Sequence, residues 1–163
     1  MQGEGYIIQL KTITDYAIRT LLYLYEKRER PVISSEEISD KMEIPVSYLV
    51  KVARKLREAG LIESVLGQFG GYHIREPADT ISLYDVIQVT EPQKINGCLE
   101  SGGGCSRNSA EDCSVRQFYE IMQEQWDKSL KSMTLKVLTE NTDRECLLSV
   151  LKKHGPPDRE ESS

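Results

Sequence analysis

Three cysteines share one polar loop. Six residues separate Cys98 from Cys105 and seven separate Cys105 from Cys113, with Ser101-Gly102-Gly103-Gly104 between the first two. Three thiolates and a fourth donor can hold a metal ion or an iron–sulfur cluster. Glycines in such a loop let backbone amides approach the sulfur atoms, which tunes the centre. The plainer alternative is a set of free structural thiols, although buried structural cysteines rarely gather in a loop of Gly, Ser and Asn. The remaining cysteine, Cys146, sits in Glu145-Cys146-Leu147-Leu148, a pattern that suggests a core position.

The rest of the chain must position that loop. At 163 residues it is one domain, or one small domain with an extension. No N-terminal apolar run is flanked like a signal peptide, and no stretch approaches the roughly 18–20 residues of a membrane span. Four cysteines without an export signal predict reduced thiols in a cytoplasm rather than a disulfide framework. The net charge of −5 argues at first against a nucleic-acid partner. Local charge matters more. Between Pro45 and Ile62, Lys51, Arg54, Lys55 and Arg57 stand against Glu58 alone, a balance of +3.

Apolar spacing predicts a first helix from about Ile13 to Lys27, with Thr12 as N-cap and Asp15 completing a capping box. A short helix, Glu36 to Met42, opens at Ser34-Ser35 with Glu37 as box residue. Glu43-Ile44-Pro45 is a tight connection to a third helix, Ser47 to Ala59, stopped at Gly60. Leu61–Val65 and Tyr72–Arg75 read as two strands joined by the glycine-rich tip Leu66-Gly67-Gln68-Phe69-Gly70-Gly71. Helix, helix, short connection, helix and β-hairpin is the order of a winged helix-turn-helix. In that arrangement the second helix of the pair enters the major groove of DNA and the first crosses the backbone. A winged fold used only for protein contacts is the alternative. Nothing in this half looks catalytic: it has no phosphate loop, no nucleophile motif and no His/Glu pair at metal spacing.

Ser82 with Asp85 is placed to cap a helix from Leu83 to about Val89, and Thr90-Glu91-Pro92 opens the cysteine loop. A helix from Ser114 to about Met133 carries Val115, Phe118, Ile121, Met122, Trp126 and Leu130, more apolar surface than so short a chain can cover. It reads as a dimerisation helix, with packing on the chain's own first helix as the alternative. A last helix spans Arg144 to Lys153, and the segment from Gly155 reads as a disordered tail.

These stretches together resemble the iron–sulfur winged-helix regulators of the IscR and NsrR type, whose cluster-free relatives include CymR. Leu10–Arg19 is similar to the family's opening helix, and Ile44–Val52 to its recognition helix. Gly60-Leu61-Ile62 with Gly70-Gly71-Tyr72 is similar to its wing. Cys98, Cys105 and Cys113, followed by a long helix and Met133-Thr134-Leu135, are similar to its cluster loop and dimer helix. The resemblance implies a mainly α fold with a small β-hairpin: a winged helix-turn-helix over residues 7–91, a cluster loop over 92–113, a dimerisation helix and C-terminal helix over 114–153, and a tail over 154–163.

The resemblance also implies a ligand set. Members of the IscR type place a histidine shortly after the third cysteine, whereas Ser114-Val115-Arg116-Gln117 contains none. Members of the NsrR type take an acidic ligand from the opening helix of the partner subunit, and Asp15 stands at that position. Glu111, Asp112 and Cys146 are weaker candidates. Many relatives carry an arginine at the wing tip, but Leu66-Gly67-Gln68-Phe69 has no cation. The expected function is a homodimeric, non-enzymatic DNA-binding regulator, in the sense of a repressor. Its cluster, 2Fe–2S or 4Fe–4S, would respond to nitric oxide, iron or cluster supply, or redox state. Ser47, Tyr48 and Lys51 would reach base edges of a duplex operator, and Arg54 and Lys55 its phosphates. Val50 is assigned to core packing, with a thymine methyl as its alternative partner. Two other functions remain open on sequence: an iron–sulfur electron or cluster carrier, and a DNA-binding regulator switched by zinc or by thiol chemistry.

Overall fold

The computed structural model describes residues 10–100, 113–140 and 143–154. Seven helices and a hairpin follow in order: α1 Thr12–Glu26, α2 Ser35–Met42, α3 Val46–Glu58, β1 Ile62–Val65, β2 Gly71–Ile74, α4 Leu83–Thr90, α5 Ser114–Ser132, α6 Leu135–Glu140 and α7 Arg144–His154. They form two compact units. One runs to Arg75 and takes in Val89–Glu91, and the other comprises Glu76–Gln88 and the chain from Pro92 on. Cys105, Glu111, Asp112, residues 7–9 and the tail from Gly155 lie outside the described residues.

In the first unit, α1 packs on α2, α3 and β2, and α3 also packs on β1. The core consists of Ala17, Leu21, Leu24, Ile38, Leu49, Val52, Leu56 and Ile62, all buried to within 1%. Removing one such leucine or isoleucine from water contributes about 1.5–3 kcal/mol. The hairpin is antiparallel, pairing Ile62 with Ile74 and Val65 with Gly71. A third segment joins it. Ile33 donates to the Tyr72 carbonyl at 2.9 Å, and the Tyr72 amide donates to the Ile33 carbonyl at 2.8 Å. That close approach explains the second glycine of Gly70-Gly71, because a Cβ on Gly71 would stand 2.1 Å from the Ile33 oxygen.

Helix starts divide into local and remote solutions. At α2 the Ser34 hydroxyl accepts the Glu37 amide at 3.2 Å, while the Glu37 carboxylate turns away to Arg30 and Tyr23. Ser82 and Asp85 form the complete reciprocal box, with the Ser82 amide on Asp85 at 2.9 Å and the Asp85 amide on Ser82 at 3.3 Å. The expected box at α1 does not form. The N-cap is Lys11 rather than Thr12, and no side chain of the capping residue takes part. The buried Glu91 carboxylate instead accepts the Lys11 amide at 2.7 Å and the Thr14 hydroxyl. A carboxylate at this end of a helix also meets the positive end of its dipole. The cap is supplied from 80 residues away.

In the second unit, Ser82 and Thr134 form an isolated antiparallel bridge, with Leu83 donating to Met133 at 2.9 Å and Leu135 to Ile81 at 2.8 Å. This connection starts α6, a helix the sequence pattern does not announce. Six residues show too little periodicity, and the buried Leu135 anchors it. Helices α5 and α7 pack together. Cys146 is exposed, contrary to the core position expected for it, because it lies in the first turn of α7. There its amide donates to the Asp143 carboxylate at 3.3 Å. Among the described residues, no helix is long and apolar enough to cross a membrane.

Candidate functional site

The surface of α3 is built by its own periodicity. Leu49, Val52, Ala53 and Leu56 anchor one face in the core, which turns Val46, Ser47, Tyr48, Val50, Lys51 and Arg54 outward. Val50 is 55% exposed, so it belongs to the outer face and not to the core as expected. Its neighbours at helical spacing, Val46 and Ser47, are exposed as well, and the buried stripe runs through Leu49 and Ala53 on the other side. The connection from α2 is tight. The Ile44 amide donates to Ser39 at 3.0 Å, the Ser39 hydroxyl returns to the Ile44 carbonyl at 2.6 Å, and Glu43 takes a left-handed φ of 54°.

The outer face continues onto α1. Tyr48 meets Tyr16 edge to face with ring centroids 5.7 Å apart, and the Lys51 ammonium lies 5.3 Å from the Tyr48 ring. Arg19 lies 5.9 Å over the other face of the pair, at Tyr16, and is ion-paired to Asp15 at 2.8 Å. Such stacking of cations on rings holds the side chains in place while leaving the charges at the surface. Tyr16 and Arg19 were not singled out by the sequence, although their i, i+3 spacing places them together on the helix.

The two cations expected at phosphates differ in setting. Arg54 is exposed and has only a long 4.0 Å contact with Glu58. Lys55 is half-buried and donates to the Val89 carbonyl at 3.4 Å, so its ammonium is partly engaged within the unit. Residues 89–91 therefore hold two helices: Val89 receives Lys55 of α3, and Glu91 caps α1. Thr90 adds a 2.9 Å hydroxyl contact with Thr14.

Asp15 does no capping. Its carboxylate is 49% exposed and engages Arg19, which leaves it a surface group able to exchange partners. The cysteine segment begins after Pro92. The Ile95 amide donates to Gln123 at 2.9 Å, and Gln123, the buried residue of α5, is held in turn by Asp127 at 2.8 Å. Cys98 follows in a short 3-10 turn, Gly97–Leu99, that packs on α5. The Asn96 side chain accepts the Cys98 amide at 3.1 Å. Cys113 is the N-cap residue of α5. Both thiols are half-buried. Among the described residues no three His, Cys, Asp or Glu side chains converge. The donor set nonetheless suits a thiolate-bound centre: soft sulfur ligands, one on a turn braced against α5 and one at that helix's positive end.

The chain matches the model of the Rrf2 family, described as iron-dependent transcriptional regulator, over residues 10–141. It is 32% identical over 124 residues to Protein aau3 of Rhizobium meliloti, covering 71% of this chain and 80% of that one. Among solved structures it is similar to CymR, the global cysteine regulator of B. subtilis, at 25% identity and TM-score 0.63, covering 84% of this chain and all of that one. CymR of Staphylococcus aureus matches at 29% identity and TM-score 0.61, over 82% and 99% of the two chains. The fold is shared with T. potens IscR, TM-score 0.64 at 23% identity, over 85% and 90%.

Proposed function

The chain belongs to the Rrf2 family of transcriptional regulators, and on that premise we propose a homodimeric cytoplasmic repressor whose operator binding is switched by an iron–sulfur cluster. The observation that carries the DNA-binding part is the outer face of α3, where Ser47, Tyr48, Lys51 and Arg54 stand exposed on a fully buried apolar stripe. Ser47, Tyr48 and Lys51 read base edges. Arg54 contacts phosphate, joined by Lys55 when it swings from Val89.

Cys98, Cys105 and Cys113 hold the cluster, 2Fe–2S or 4Fe–4S, and Asp15 of the partner subunit provides the fourth, oxygen ligand. When bound, such a cluster supplies a centre whose assembly and oxidation state follow iron supply, oxidants or nitric oxide. The chain's own residues turn this into a change at the DNA face. Asp15 would have to leave Arg19 to join such a site, and the guanidinium it would free lies beside Tyr16, which packs on Tyr48. The exposed apolar face of α5, with Val115, Phe118, Ile121, Met122 and Trp126 each at least 40% exposed, supports the dimer. A symmetric dimer sets the separation of its two α3 helices, which must be about 34 Å for successive major grooves.

A zinc- or thiol-switched regulator is the second reading, favoured by the half-buried state of both described loop thiols and by the likeness to CymR, one of whose structures is an oxidized form. Anaerobic purification separates the two. Brown protein containing iron and sulfide supports the cluster, and colourless protein containing zinc overturns it. Alanine at Cys98, Cys105 or Cys113 should abolish the visible absorption, while Cys146→Ala should preserve it. Asp15→Asn should leave apo folding intact and shorten the cluster's lifetime. Unaltered absorption and lifetime would remove Asp15 from the ligand set.

A further inference from the structure

The hairpin tip poses a chemical question that the outer face of α3 does not answer. Leu66 is 91% exposed and Phe69 is 86% exposed, the two most exposed large apolar side chains described. No residue from Val65 to Tyr72 carries a charge. The charges of the hairpin stay at its root, where Glu63 pairs with His73 at 3.4 Å and Arg75 at 3.6 Å. A wing built to touch phosphates, or to place a cation in a narrow groove, would carry the opposite pattern.

The tip is also folded tightly onto its strands. The Gly70 amide closes a turn onto the Gly67 carbonyl at 3.0 Å. A Cβ on Gly70 would stand 2.3 Å from the Val65 oxygen, so the turn folds tightly back on the strand end. Ile33 clamps the other side of the root through its two bonds to Tyr72. At the α3 side, Arg57 reaches the Ser64 hydroxyl at 3.5 Å. Two large apolar groups are thus held in water on a braced support, in the same compact unit as α3 and packed against it through β1.

We infer that Leu66 and Phe69 form an apolar wedge that enters the minor groove of the operator beside the α3 contact and reads the deformability of a base step. The inference rests on the proposed docking of α3 in the major groove. A winged helix seated there carries its hairpin to the flanking groove, so the tip's surface is continuous with the α3 interface. Uncharged, flat and branched side chains gain nothing from phosphates, but they fit between unstacked base pairs. Pyrimidine–purine steps such as TA and CA yield most easily to such insertion. The wedge would thus confer a preference for a flexible step at a position that no polar side chain touches.

The test uses the full-length protein and the duplex it selects from a random-sequence pool. Phe69→Gln and Leu66→Gln, singly and together, should keep the melting temperature, since both side chains are exposed. The double change should weaken binding to the selected duplex about 10-fold to 100-fold. It should also reduce the bend measured by energy transfer between the duplex ends and leave the salt slope unaltered, because no phosphate contact is lost. Replacing the wing-facing flexible step by a stiff A-tract should cost the native protein as much and the double variant little. Phe69→Leu should restore most of the binding. Unchanged affinity, step preference and bend in the double variant, with Lys51→Ala still defective, would overturn the wedge and leave the α3 reading intact. Loss of dimerisation in the double variant, with DNA contacts unchanged, would overturn it in favour of a second copy. If neither Lys51→Ala nor the wing changes altered binding to any duplex, both readings would fail.

Discussion

Helices α3 and α5 both leave large side chains in water, but they are incomplete in different ways. On α3 four apolar side chains are buried in its own unit, and the outer face mixes hydroxyl, aromatic ring and cation. On α5 the buried residue is a glutamine, and Phe118 and Ile121 stand more than half exposed. A mixed, cationic outer face is stable in water and waits for a polyanion. A contiguous apolar face is not, and its natural complement is its own symmetric copy. On the proposed reading, one chain finishes its DNA-reading helix alone but takes a second copy to cover the helix that follows the cysteine loop.

The strongest way to break this contrast is to put charge on the apolar face. Phe118→Glu with Ile121→Glu should raise the dimer dissociation constant about 100-fold or more, since two large apolar groups lose their burial and like charges face each other. Sedimentation at micromolar protein should show monomer with unchanged helix content. A persistent dimer would mean that α5 is not the interface.

Changes on α3 should act on DNA and not on assembly. Arg54→Ala should lower the salt slope of operator binding by about 1, and Lys51→Ala should relax the base preference, each with the dimer intact. Lys55→Ala should lower the slope less and also cost up to about 1 kcal/mol of stability, because its ammonium already serves the Val89 carbonyl. Equal slopes for Arg54 and Lys55 variants would show that Lys55 leaves Val89 entirely on binding.

The smallest effect is on acid stability and is confined to the DNA-reading unit. Arg30, and after it the Tyr23 hydroxyl, hold the Glu37 carboxyl at about 2, below its ordinary 4.5. The contribution of this link from α2 to Arg30 of the preceding connection and to Tyr23 of α1 is therefore complete above pH 4.5 and is lost as the pH falls toward 2. Glu37→Gln should remove that part of the acid transition, seen as a flatter dependence of melting temperature on pH below 4.5, and leave the neutral-pH dimer untouched.

Periodic and punctuated features could be read from residue order. The three helices of the first unit, the presence of the hairpin and the Ser82–Asp85 cap all follow from apolar spacing and short-range polar pairs. What could not be read depends on residues far apart in the chain. Thr12 and Asp15 have the right spacing for a box, but the helix is capped one residue earlier, at Lys11, whose amide Glu91 accepts and whose carbonyl takes the Asp15 amide. Val50 looks like core until the buried stripe of α3 is fixed by Leu49 and Ala53. Helix α6 depends on the bridge between Ser82 and Thr134, and Lys55 looks like a free phosphate contact until Val89 is placed beside it. Of the loop, Cys98 and Cys113 are seen on elements that brace them, while Cys105 lies outside the described residues.

Val89–Glu91 also sets a boundary for exchange. All three residues are committed to α1 and α3, through a carbonyl, a hydroxyl and a carboxylate, whereas the cysteine segment starts only after Pro92. The length and composition of the loop can drift beyond that point without disturbing what holds α1 and α3. A cut before Val89 would remove the carbonyl, hydroxyl and carboxylate that α1 and α3 use, and a cut after Glu91 would keep all three. Those three residues are thus a fixed socket, and variation in the chain beyond them leaves it filled.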